Sequence, residues 1–94
     1  MSEAKTTTDH DEIRAWAEKR GGSPASVHDT GRSGEPGILR LDFDPADKEL
    51  EPISWDEFFK KFDDERLAFL FQDKAADGSL SRFHKFIDRD RPHE

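Results

Sequence analysis

The chain contains no cysteine and no tyrosine, a single methionine, and no apolar run near the ~18 residues that a membrane-spanning helix requires. Without cysteine there are no disulfides, no thiolate catalysis, and no cysteine-ligated zinc or iron–sulfur centre. The N-terminus lacks the basic-then-apolar pattern of a secretory signal, so the expected location is cytoplasmic. Hydrophobic residues make up only 32% of 94 residues, which allows one domain with a modest core. The expected stability is a few kcal/mol, and large aromatic side chains are an efficient way to reach it.

Charge is plentiful but uneven. Charged residues form 39% of the chain and the net charge is −7. Between Asp42 and Glu65 there are ten acidic residues against three lysines, so this segment carries the whole excess. A field of that sign opposes non-specific binding to nucleic acid or anionic lipid, although it leaves room for a local basic patch.

The aromatic residues are concentrated. Seven of the eight phenylalanines lie between Phe58 and Phe86, so the core must be built mainly from that stretch. Ser54 with Glu57 three residues on is a capping box, and Ile53 with Phe58 has the spacing of a hydrophobic staple. The helix that follows presents Trp55, Phe58, Phe59 and Phe62 on one face and Asp56, Lys60, Lys61 and Asp64 on the other. Leu67 to Gln72 reads as a strand buried on much of both faces. Asp77-Gly78 is turn chemistry, and Ser81 to Ile87 reads as the returning strand of a hairpin, with Phe83, Phe86 and Ile87 contributing to the core.

Upstream, residues 1–7 are expected to be a disordered leader, residues 8–89 a single α+β domain, and residues 90–94 a disordered tail. Thr8 or Asp9 caps a short helix whose apolar stripe holds Ile13, Trp16, Ala17 and Arg20, and Gly21-Gly22 ends it. Ser23 to Pro36 reads as a loop in which Ala25 to Val27 could extend briefly. Leu39, Leu41 and Phe43 alternate with Arg40 and Asp42, the pattern of a half-buried strand. Pro45 to Pro52 reads as an acidic connector. The order is α-β-α-β-β, and the economical architecture is a two-layer sandwich: an antiparallel sheet of three or four strands with both helices on one face.

No constellation of residues specifies a reaction. The run Asp42, Asp44, Asp47, Glu49, Glu51 invites a calcium loop. A loop starting at Asp42 would, however, have Ala46 at its fifth position, Asp47 where glycine belongs and Ile53 in place of the bidentate glutamate, so a solvated connector is the better reading. Asp63-Asp64-Glu65 reads as an exposed turn rather than a metal site. His10, His28, His84 and His93 match no zinc spacing. No nucleophile elbow is present, and Gly21-Gly22 follows a helix, which suits a C-cap and not a phosphate loop. No catalytic residue, metal ligand or cofactor is therefore assigned.

The candidate binding surface consists of Arg14, Lys19, Arg20, Arg40, Arg82, His84 and Lys85, which His84 joins only if it faces outward. The competing reading is an exposed or half-packed strand histidine among solvated charges. Arg32, Arg89 and Arg91 could extend the same basic edges toward a nucleic acid. Trp16 and Trp55 could stack on a sugar or a base, but both lie on apolar helix stripes, where core packing is the simpler role.

The combination of Asp9 to Ala25, Gly37 to Phe43 and Ile53 to Phe59 resembles a family of short bacterial proteins of unknown function, over nearly the whole of Thr8 to Arg89. Some of these carry the name glucan branching enzyme. That chemistry uses a (β/α)₈ barrel of about 250 residues, so the resemblance implies at most association with such an enzyme. It brings no functional residues. The leading expectation is a non-catalytic bacterial domain that binds a protein partner. The rivals are a nucleic-acid-binding module on the basic edges and an accessory role in carbohydrate metabolism, which needs an exposed tryptophan.

Overall fold

The computed structural model describes residues 4–27, 37–43 and 47–90. The elements are β1 (Ala4–Thr7), α1 (His10–Lys19), β2 (Ser23–Val27), β3 (Leu39–Asp42), β4 (Leu50–Pro52), α2 (Trp55–Asp64), β5 (Leu67–Gln72) and β6 (His84–Asp88). The class is α+β, but two three-stranded antiparallel sheets replace the single expected sheet, one ordered β1-β5-β6 and the other β3-β2-β4. Among the described residues no helix is long and apolar enough to cross a membrane.

The departure from one sheet has a local cause. The sequence predicts a disordered leader over residues 1–7, yet Ala4–Thr7 pairs antiparallel with β5, Thr7 opposite Phe69 and Ala4 opposite Gln72. The hairpin places β6 on the other side of β5, Phe69 opposite Phe86. Both edges of β5 are thus occupied, and β3 pairs elsewhere. It joins β2, whose other edge takes Leu50–Pro52 from the predicted connector. Pro24 is tolerated in the middle strand because its missing N–H falls where β4 ends; its carbonyl still accepts from Ile53 N at 3.2 Å.

Both helices are capped as their sequences predict. Asp9 Oδ1 accepts from the N–H groups of Asp11 at 2.9 Å and Glu12 at 3.3 Å. Ser54 and Glu57 form the reciprocal capping box. Ser54→Ala is expected to lower stability by about 1 kcal/mol, read as an earlier urea midpoint with unchanged slope. At the end of α1, Gly21 takes φ +74°. Its N–H donates to Glu18 O at 3.1 Å and that of Gly22 to Ala17 O at 2.8 Å, a Schellman closure. The C-cap reading of the glycine pair is borne out.

One aromatic core joins both sheets and both helices. It contains Ile13, Trp16 and Ala17 of α1, Leu39 and Leu41 of β3, Phe58, Phe59 and Phe62 of α2, and Phe69 and Phe71 of β5. Phe43, Ile53, Trp55, Leu67 and Phe86 pack against it. A second tie runs through charge. His10 Nε2 lies 2.9 Å from Asp63 Oδ2, and Arg89 donates to Asp63 Oδ1 at 2.9 Å. Asp63 is therefore a junction of α1, α2 and the end of β6. Burial works to raise its pKa, but the Arg89 hydrogen bond and then His10 outweigh burial and hold the carboxyl below its usual value. Asp90, placed in the predicted tail, instead takes a two-point contact from Arg66 at 2.6 and 2.8 Å. Residues 91–94 lie outside the described residues.

Candidate functional site

The register of the hairpin decides which residues face the core. Phe71 opposite His84, Phe69 opposite Phe86 and Leu67 opposite Asp88 put those six residues on one face, because side chains alternate across a strand. That face holds the buried Phe69 and Phe71. Leu70, Ala68, Lys85 and Ile87 fall on the opposite, outer face. His84 therefore points inward, not outward as the binding-surface reading requires. Its ring lies 5.5 Å from Trp16, 5.8 Å from Phe43, 5.7 Å from Phe69 and 6.0 Å from Phe86, centroid to centroid. The half-packed strand histidine is the reading borne out.

The surroundings of His84 determine its chemistry. Nδ1 lies 2.8 Å from the Arg82 carbonyl, which can only accept, so the neutral ring carries its proton on Nδ1. Burial pushes its pKa down, the nearby Arg40 charge acts in the same direction, and the Arg82 carbonyl opposes them. The unfolded chain takes up this proton near pH ~6.5 while the folded chain resists. The stability contributed by His84 is thus complete above that pH and declines as the pH falls toward the lower folded value. Urea unfolding of wild type and His84→Gln at pH 7.5 and 5.5 is expected to show the wild-type advantage shrinking at the lower pH.

Arg20 is the second departure from the predicted surface. It lies on the stripe of α1 and its side chain is 1% exposed. Its Nε donates to Ser81 O, one terminal nitrogen to Trp16 O at 2.9 Å, and the other to Asp73 O and Asp73 Oδ1. The guanidinium carbon sits 4.2 Å from the Trp16 ring centroid. Arg20 is a clamp that fixes the β5–β6 connection against α1, and each of its three nitrogens donates within the fold. Trp16 completes the joint by donating its indole N–H to Gln72 O at 3.0 Å.

The remaining basic residues divide into two groups. Arg14 pairs with Glu18 at 3.1 Å and lies 6.0 Å from the Trp55 ring, on the α2 side. Arg82 lies 5.1 Å over Phe43, and Arg40 is close enough to affect His84, so these two gather at the meeting of β3 and β6. Lys19 and Lys85 are exposed. Trp16 is 5% exposed, which removes it as a sugar platform. Trp55 is half-buried and stacks on Phe59 at 5.3 Å. Arg32, His28, Asp44 and Arg91 lie outside the described residues. Among the described residues no group of three or more His, Cys, Asp or Glu side chains is placed to hold a metal.

Phe83 is the residue that sequence reasoning missed. Gln72 N donates to Phe83 O at 3.1 Å, which continues the ladder and sets Phe83 on the outer side with Lys85 and Ile87. It is 49% exposed, with Leu80 at 43% close by on the same connection. The alternation Phe83, Lys85, Ile87 against His84, Phe86 was the available signal.

Phe43 in turn depends on Gly22. A Cβ at Gly22 would stand 2.8 Å from Phe43 Cε1 and 3.2 Å from Ala17 O. Gly22→Ala is expected to cost about 1–3 kcal/mol through overpacking and to move the Phe43 ring away from His84. The second effect would show as a changed His84 ring chemical shift. Comparison with known proteins gave no match: no family model fits the chain, and no curated protein and no solved structure matches it.

Proposed function

We propose that this protein is a non-catalytic domain of the bacterial cytoplasm that binds a protein partner. The observation that carries this reading is the outer face of the β1-β5-β6 sheet. There Phe83 lies about half exposed beside Lys85, in line with Leu70 and Ile87, which are outside the core cluster. A large aromatic at the surface next to a cation is a common anchor of protein interfaces. Catalysis has less support, because the perturbed histidine and the buried arginine both serve packing and backbone carbonyls.

A nucleic-acid reading draws on Arg40, Arg82 and Lys85, without Arg20, which is fully engaged within the fold. The test is capture of partners by the tagged protein from a bacterial lysate split into nuclease-treated and untreated halves. Proteins retained after nuclease support the proposal. Retention that vanishes with nuclease, with DNA or RNA recovered, overturns it in favour of the second reading.

A further inference from the structure

We propose that two copies of this chain associate through the outer edge of β6, pairing antiparallel about Phe86 to join their sheets into one. The backbone supplies the first argument. β6 has β5 on one side and no strand on the other among the described residues. Gln72 N to Phe83 O and Arg89 N to Arg66 O show that residues of odd number turn their backbone groups toward β5. His84, Phe86 and Asp88 therefore turn N–H and C=O outward. No described residue bonds those groups. An edge of this kind is a template for another strand.

The side chains select the occupant and the register. Centring the pair on Phe86 sets His84 opposite the partner copy's Asp88, Lys85 opposite Ile87, and Phe86 opposite itself, with all three outward residues bonded in both directions. Shifting by one step in one sense sets Lys85 against Lys85, a like-charge pair that costs stability, and in the other sets His84 against Asp90, which Arg66 already holds. Of these three registers, the one centred on Phe86 is therefore the best matched. The other three edges, which take no further strand among the described residues, are less suited. β4 carries Glu51 and ends in Pro52, β3 carries Asp42, and β1 offers only Ala4 and Thr6 outward at its outer edge. The excess negative charge lies in residues 42–65, whereas β6 lies in the part of the chain that follows it.

A five-residue strand buries less than the ~1,200 Å² of a standard interface, so the dimer is weak and concentration-dependent. Sedimentation equilibrium over a dilution series tests it. The expected result is a rise from the 10.8 kDa monomer toward twice that mass, with hydrogen exchange of the His84, Phe86 and Asp88 amides slowing as mass rises. Asp88→Pro removes an outward N–H while leaving the β5 ladder intact, and should remain monomeric throughout. Asp88→Lys, exposed in the monomer, should weaken association at least about tenfold by bringing a second cation beside Arg82 of the other copy. Monomer at every concentration overturns the proposal. So does a dimer indifferent to both changes at Asp88, or one that protects the amides of Ala4 and Thr6 instead.

Discussion

Arg20→Ala is expected to destabilise the protein by about 3–5 kcal/mol, enough to unfold much of a domain of this size at room temperature. The side chain holds three backbone carbonyls, those of Trp16, Ser81 and Asp73, and all but the last are sheltered from water. Bonds from a charged donor each contribute about 1.5–3 kcal/mol, and removing the donor leaves its acceptors to meet the cost of burial alone. The loss is cooperative, because the same guanidinium covers Trp16 and ties α1 to the connection between β5 and β6. Lysine supplies the charge but not the fork, so Arg20→Lys should fall roughly midway. Urea unfolding of the three proteins measures this. An Arg20→Ala midpoint equal to wild type would return Arg20 to the candidate binding surface.

Phe58→Ala is the second large effect, about 3–5 kcal/mol. Phe58 is 0% exposed. Its ring lies 5.3 Å from both Trp55 and Phe59 and 5.9 Å from Phe86, so the cavity left by alanine would open between α2 and the first sheet. The surrounding rings are held by one another and collapse poorly into such a space. Calorimetric or urea unfolding should show the loss with the same two-state slope. Equal melting temperatures would mean that the core is not where the aromatic residues place it.

The helices were legible because their signals are local: a capping box, a staple, a glycine pair, and apolar residues at helical spacing. The β5–β6 hairpin was legible for the same reason, two apolar runs around Asp77-Gly78. The sheets were not. Ala4-Lys5-Thr6-Thr7 has no apolar periodicity, and it becomes a strand only because β5 offers a free edge, which is a property of the folded chain. Leu50 to Pro52 looks acidic and broken, yet three residues suffice to pair with β2. Of the candidate surface, Arg20 was misplaced because arginine is seldom buried, and the three carbonyls and the Asp73 carboxylate that receive it make burial tolerable. His84 was misplaced by one position: with period-two alternation, the choice between Phe83 and His84 as the inward residue reverses every assignment along the strand.

Phe43 and His84 pack where the two sheets meet and Arg20 ties α1 to the β5–β6 connection, whereas Phe83 on the outer face is the proposed anchor for a partner. Measuring urea unfolding and partner capture on the same preparation of Phe83→Ser tests that separation most directly. The prediction is a stability within about 0.5 kcal/mol of wild type, since an exposed side chain is removed, together with loss of the captured protein. A fall in stability like that of Phe58→Ala with capture retained would contradict it and make Phe83 part of the core.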